Sequence, residues 1–468
     1  MATHTQGVRT TNPDYDRLAP KWKRCSDVVD GQDALHKTGE GYLPRLKDEE
    51  DGDYTSRLKR SDFFNATWRT IAGLSGMAFR KSPVAVVPSG IETFLTDIDM
   101  AGCSLDDMAK HLVEDALAYG LFGLMVDHPP KDVLVLNVAA QEALGLRPLI
   151  QYYPITSVIN WRYTRVKNRT VLVMVVLKEE APTGEDEFSH EAEARYRVLD
   201  LDAGGFYRQR VFRIDKHGKD EQVGGDIYPL MKGNPLGYVP FRIVGEIDTP
   251  PLIDLVDANI AHYQINADYR HGLHFTAMPT LFVAGVQLEP GEAFHIGSTA
   301  AVIAPDPQAK AQFIEFTGQG LGAVEKALAG IEQRMAILGA RMVANESNQI
   351  ETLGATQIKR SGENSVLADV VIGVSEAIEW ALGIFAEWAG QKGEVSYQIN
   401  RDFTPALMDA QTLTALVGAV QAGNISSREF FDLMKRGDVI DAGKDYADHQ
   451  AEVEMQGPGA PVMRGVAA

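Results

Sequence analysis

The sequence predicts an α+β protein, and three observations carry that prediction. Apolar residues recur at helical spacing over Phe63–Phe79, Leu105–Tyr119, Leu252–Phe275, Leu321–Val343 and Ile358–Trp388. Between Leu121 and Arg242 the period shortens to β-rich runs such as Thr170–Leu177 and Tyr196–Leu199, parted by turn and charge clusters. Two of the long helices bracket a single further stretch of strand and turn.

In chain order, residues 1–60 read as a polar arm with short helices, in which Trp22, Tyr42 and Leu43 are isolated apolar anchors that lay the segment over something else. Lys81-Ser82-Pro83 stops the helix that follows. Ser104, with Asp107 three residues on, is an acidic variant of the capping box for the helix over Leu105–Tyr119, and Gly120 breaks it. The helix over Leu252–Phe275 is about 36 Å long at ~1.5 Å per residue. It carries a wet face of Asp254, Asp257, Ala261, Gln264 and Asp268 beside a packing face of Ile253, Val256, Ile260, Tyr263 and Ala267.

Residues 280–317 form a compact β insertion, with short runs at Leu281–Gly285, Ala301–Ala304 and Gln312–Phe316. The next helix, Leu321–Val343, sets Glu325 and Glu332 one heptad apart, as it does Arg334 and Arg341. From Asn345 to Thr356 the chain is polar and without period, which marks an exposed loop. Ile358–Trp388 buries Leu367, Val370, Val371, Val374, Ile378, Leu382 and Phe385, and is long for a globular helix. After a strand at Glu394–Ile399, Pro405 opens a helix that Gly423-Asn424 closes. Ser426 and Glu429 form a capping box for the last helix, and the tail beyond Asp438 is expected to be mobile.

Composition narrows the function. At 468 residues and 45% hydrophobic content the chain buries a sizeable core. Cys25 and Cys103 stand far apart, so neither a disulfide framework nor a zinc site is indicated, and a reducing compartment fits. Residues 1–24 hold no apolar run, and no stretch approaches the roughly 18 apolar residues of a membrane span. No secretion signal and no membrane partner are expected. A net charge of -19, from 64 acidic and 45 basic residues, is the wrong sign for a protein that grips phosphates tightly.

Catalytic motifs are weak. Gly318-Gln-Gly320-Leu-Gly322-Ala323 matches GxGxxA after a strand-like run, but the second strand of a βαβ unit and its ribose-binding acid are missing. His271 and His274 share a helical face without a third ligand. Ser56/Lys59 and Lys37-Thr38-Gly39 mimic penicillin-binding motifs in the wrong order and without an SDN element. Gly218-Lys219 and Gly443-Lys444 are each followed by Asp, so there is no Walker lysine. There is no GxSxG and no HExxH. No cofactor, no metal and no enzymatic activity are expected.

Dispersed stretches then carry a resemblance. Trp22, Asp27, Gly31, Tyr42-Leu43-Pro44, Tyr54, Arg60, Phe63-Phe64-Asn65-Ala66-Thr67, Thr70 and Phe79–Pro83, with Asp254–Tyr263 and Ala422–Glu429, resemble the portal proteins of tailed bacteriophages. The resemblance spans most of residues 15–440. It implies an arm and α/β wing over 1–250, a stem helix over 251–276, a β-containing clip over 277–318 and a second stem helix over 319–344. A tunnel loop would follow over 345–357, then the long wing helix and strand over 358–404, and a small helical crown with a mobile tail over 405–468.

It further implies a homo-oligomeric ring of about twelve subunits at one capsid vertex, the head–tail junction of the virion, assembled in the host cytoplasm. Its partners would be the major capsid protein, the large terminase during packaging, adaptor, neck or tail proteins afterwards, and double-stranded DNA in packaging and ejection. Asn345, Glu346, Asn348, Gln349 and Glu351 would face DNA in the tunnel loop, and Asp254, Asp257 and Asp268 would face the stem lumen, where repelled phosphate slides. Two alternatives remain: another head-completion or minor capsid protein, and a nucleotide-binding enzyme using Gly318–Ala323.

Overall fold

The structure is a computed structural model that describes residues 7–128, 146–166, 168–183, 188, 190–277, 280–285, 308–314, 320–341, 365–401, 403, 410–436, 440 and 444–456. Helix α1 (Pro13–Asp30) starts where the Asn12 side chain accepts the Asp14 N–H. The segment before it crosses the outer face of a sheet: Asn160 Nδ2 donates to the Thr10 carbonyl at 2.8 Å, and the Val8 N–H donates to Asp220 at 2.8 Å. Helices α2 (Gln32–Thr38), α3 (Asp51–Arg60) and α4 (Ala66–Ala78) follow. α1 lies over the body through one of the anchors read from the sequence: it buries Leu18 and Trp22 completely, and the Trp22 indole donates to the Tyr119 carbonyl at 3.1 Å.

Helix α5 (Leu105–Tyr119) has the ends its sequence dictates. Ser104 Oγ accepts the Asp107 N–H and donates to its carboxylate, and Gly120 closes the helix in the left-handed region at φ 78°. Strand β1 (Val84–Val86) precedes it, and β2 (Leu121–Asp127) leaves directly from it. β3 (Leu149–Pro154), β4 (Val158–Val166), β5 (Arg169–Pro182), β6 (Ala192–Leu201), β7 (Tyr207–Ile214), β8 (Asp220–Ile227), β9 (Leu230–Met231), β10 (Asn234–Pro235) and β11 (Phe241–Gly245) complete the β-rich region. Its two larger antiparallel sheets are a three-stranded one in the order β11-β2-β3 and a five-stranded meander from β4 to β8, beside a two-stranded β9–β10 ladder. β2 is central in its sheet and buried on both faces, which is why it reads as a continuous apolar run.

The C-terminal part supplies α6 (Ile253–Ala277), β12 (Thr280–Ala284), β13 (Lys310–Ile314), α7 (Leu321–Arg341), α8 (Val366–Trp388), β14 (Ser396–Gln398), α9 (Ala410–Gln421), α10 (Ser427–Arg436) and α11 (Tyr446–Gln456). α8 packs on α5 and the three-stranded sheet, burying Leu367, Val371, Val374, Ile378, Leu382 and Phe385 on one stripe. The sequence expectation starts this helix at Ile358; Ser365 is its N-cap, accepting the Ala368 N–H, and 358–364 lie outside the described residues. α11 is a helix beyond Asp438, held to α10 because Phe431 packs between Tyr446 and His449 at ring distances of 5.3 and 4.9 Å. The Ser426–Glu429 capping box of α10 forms, with the Ser426 N–H donating to the carboxylate at 3.0 Å and the Glu429 N–H to the hydroxyl at 3.1 Å.

One half-buried acid makes a test of this packing. Burial pushes the Asp115 carboxyl on α5 up to about 6, while the Tyr152 hydroxyl that donates to it and nearby His111 pull the other way and Glu114 adds to the rise. With a folded pKa above the ordinary 3.8, stability falls as pH rises between those two values, and the cost of the buried charge is complete above about 6. Asp115→Asn keeps an acceptor for Tyr152, so it is expected to add about 2 kcal/mol at pH 7–8 and nothing below about pH 4, by thermal melts across pH.

Candidate functional site

The feature that stands out from this body is the α6–α7 pair. α6 is rooted by a second apolar cluster, in which Ile253, Val256, Tyr263 and Ala267 pack against Cys25 and Val28 of α1, Leu35 of α2, and Tyr42, Leu43 and Phe63. Polar groups fix its rotation. The buried Asn259 side chain accepts from both the N–H and hydroxyl of Thr67 at 3.1 Å and donates to the Phe64 carbonyl at 2.8 Å. The Tyr263 hydroxyl meets Ser61 Oγ at 3.0 Å, and Gln264 donates to the Tyr42 carbonyl at 2.8 Å. The N-terminal helices therefore buttress the base of α6.

α7 runs back along α6. Near the body its Gly339 sits against Thr70 of α4, 3.2 Å from where a Cβ would lie. At the far end Leu321 approaches Gly272 so closely that a Cβ there would be 2.8 Å from the leucine side chain. Midway, His262 Nε2 lies 3.2 Å from Glu332. At ~1.5 Å per residue the helices are about 37 and 31 Å long. Where α6 ends, β12 and β13 pair antiparallel from Thr280↔Ile314 to Ala284↔Lys310. Among its described side chains α7 buries only Leu328 and Met335, and leaves Ala323, Ala327, Ala329, Gly330, Ala336 and Ile337 exposed. Ala323, Ala327, Gly330 and Ile337 share one exposed side of the helix with Arg334 among them, and their mostly small side chains let another helix approach closely.

The acidic stripe on α6 is where the sequence puts it, with partners the sequence does not reveal. Asp254, Asp257 and Asp268 are exposed. Asp257 accepts an ion pair from Arg24 of α1 at 2.9 Å. Asp268 lies 3.7 Å from the buried Arg57 guanidinium, and the partial loss of water on its body side raises its carboxyl above the ordinary range despite that charge. Within one chain, two of the three charges are thus partly neutralised on the body side. Asn345, Glu346, Asn348, Gln349 and Glu351 lie outside the described residues.

The enzyme-like motifs gain little from the fold. Gly320 is an exposed turn residue, Gly318 lies outside the described residues, and the strand ahead of it, β13, pairs antiparallel in a two-stranded hairpin. A dinucleotide cradle needs a parallel neighbour there. Among the described residues no three His, Cys, Asp or Glu side chains gather to hold a metal ion, and no helix is long and apolar enough to cross a membrane. Sequence reasoning missed Asn259, Arg57 and His262. Their signal is a polar residue on an otherwise apolar helical stripe, which identifies a buried partner only once the partner helix is known.

Residues 251–389 match a family model described as a domain of unknown function, DUF4055. No curated protein matches. Among solved structures, a chain from the neck of an empty gene transfer agent particle, computed with C6 symmetry, is 14% identical with a TM-score of 0.40 over 84% of this chain and 95% of that one. A chain from the virion of the native gene transfer agent particle gives 14% and 0.40 over 87% and 98%. A third, from the native particle's neck computed with C12 symmetry, gives 13% and 0.38 over 79% and 89%.

Proposed function

We propose that the chain is a portal-type subunit of a phage or phage-like particle, a ring at the head–tail junction through which DNA passes, with no catalytic role of its own. The observation that carries this reading is the α6–α7 pair. Two long antiparallel helices leave a mixed α/β body, bracket a β-hairpin and cover only one face of α7. Neighbouring copies packed on the open face would bury it, and the hairpin ends would gather at one rim of the ring. In this reading α6 and α7 are the stem, the hairpin region is the clip that meets terminase and later neck proteins, and the body is the wing facing the capsid.

The DNA path then needs no strong binding. Acidic groups repeated by rotation give weak, reversible contacts with phosphate, and the net charge of -19 opposes sticking. The test is the mass and shape of the purified chain, by light scattering and single-particle electron microscopy. A particle of about twelve times 51.2 kDa with a central hole is expected. A chain that stays monomeric at every concentration, alone and with its capsid partners, sinks the proposal. For the tunnel loop, Glu346→Lys with Glu351→Lys is expected to impair genome packaging at least tenfold while rings still form. Normal packaging in that double variant removes the loop assignment.

A further inference from the structure

We propose that copies of this chain join head to tail by seating Met100 of one copy in the apolar groove between β4 and β11 of the next; this rests on the ring reading above and names the contact within it. The knob is built by its own loop. Asp97 accepts the Gly102 N–H at 2.8 Å, and Asp99 accepts the N–H groups of Ala101 at 2.8 Å and Cys103 at 3.1 Å. The Ile98 N–H closes the loop on the Cys103 carbonyl at 2.8 Å. At its tip Met100 holds a left-handed backbone, φ 63°, with its side chain 40% exposed. Glycine would adopt that backbone at no steric cost, whereas a long side chain there is strained. Strain kept around an exposed, adaptable thioether points to a contact outside the chain.

The socket is an open groove of about 370 Å³ lined by Val171, Leu172, Phe241 and Trp380 together with the exposed Tyr163, Tyr238 and Arg242. Beside it the β4–β5 hairpin carries Arg162, Arg165 and Arg169, and no Asp or Glu occurs from 158 to 178. Among the described residues Arg162, Arg169 and Arg242 form no ion pair with a carboxylate. The knob has the opposite charge, since Asp97, Asp99, Asp106 and Asp107 lie within seven residues of Met100 in sequence, with Asp97 paired to Arg147 at 2.9 Å and Asp106 accepting from the Tyr397 hydroxyl at 2.8 Å. An acidic knob and a basic-rimmed socket in one chain make a second copy the complementary partner.

Their placement decides the geometry. The Ile150 N–H on the outer edge of β3 donates to the Ile98 carbonyl at 3.0 Å, so the knob loop lies along that edge. The groove lies along β11, which is the opposite edge of the same β11-β2-β3 sheet. A knob on one side and its socket on the other repeat from copy to copy in one direction. Such a heterologous contact closes into a ring when the rotation permits.

The test combines assembly with crosslinking, in full-length protein carrying Cys103→Ser; Cys25 is buried and its thiol is pushed up to about 12, so it stays unreactive. Met100→Cys with Leu172→Cys, treated with a short bis-maleimide, is expected to give a ladder of covalent multimers on a denaturing gel. Met100→Gly relieves the backbone, so the monomer should melt no lower than wild type while the concentration for half-assembly rises at least tenfold. Arg242→Glu should raise it as well. Wild-type rings without a ladder, with Met100→Gly assembling as wild type, overturn this contact and leave the ring standing. A wild-type chain that forms no ring overturns the ring reading, and the contact with it.

Discussion

Arg57→Met is expected to cost about 3–5 kcal/mol of folding stability, because it strands a carboxylate in the interior. Arg57 on α3 and Glu49 ahead of it are almost wholly enclosed, their side chains 1% and 5% exposed. The guanidinium donates from Nε and Nη2 to the two carboxylate oxygens at 2.7 and 2.8 Å, and from Nη2 to the Pro44 carbonyl at 2.7 Å. That fork ties residues 44–49 to α3, and its Nη1 lies beside Asp268 of α6. Hydrogen bonds from Arg57, with the Leu46 N–H, hold the Glu49 carboxyl down to about 2 against the opposing effect of burial. A depressed carboxylate contributes stability that is complete above its ordinary value of 4.5 and is lost as pH falls toward 2. Wild type should therefore lose stability over that window, and Glu49→Gln should show a shallower acid slope. Arg57→Met with Glu49→Leu should recover much of the loss, since a well-packed apolar pair replaces a buried ion pair at little cost. Urea titrations of the two single variants and the double one close the cycle; a single Arg57→Met cost below about 1 kcal/mol would mean the pair is solvated.

What the sequence makes legible here is local. Ser104 with Asp107, Ser426 with Glu429 and Gly120 fix helix ends through contacts between near neighbours, and each forms as read. The helical stripe of α6 and the β-rich period between Leu121 and Arg242 are legible for the same reason. The partners of those elements are not. Asp257 reads as wet surface, yet Arg24, far back in the chain, sits on it; Asp268 likewise meets Arg57. α11 escapes sequence reading because its few apolar residues give it no stripe, and it is held by the Phe431 ring of α10. The pairing of β11 with β2 is likewise silent, because a strand's pattern records which face is buried and not which strand lies beside it.

That pairing makes the second large effect, Gly245→Ala, with an expected cost of roughly 3 kcal/mol or more. Gly245 ends β11 opposite Leu121, at φ 99°, and a Cβ there would stand 2.1 Å from the Gly120 carbonyl oxygen. The obstacle is backbone at the α5 C-cap, so no rotamer change relieves it. A Cβ on Gly120 would in turn lie 3.3 Å from the Pro251 ring, just ahead of α6, so the α5 cap, the end of β11 and the departure of α6 share one crowded corner. Gly205→Ala is the control, since it has a similar φ of 81° but no atom within 4 Å of the added methyl. It carries the backbone strain alone, about 1 kcal/mol. If close approach matters, Gly245→Ala should lower the urea midpoint well beyond Gly205→Ala and weaken ring assembly, because α6 would leave the body at a changed angle. Equal costs for the two variants would place the whole effect in local φ strain and uncouple this corner from the direction of α6.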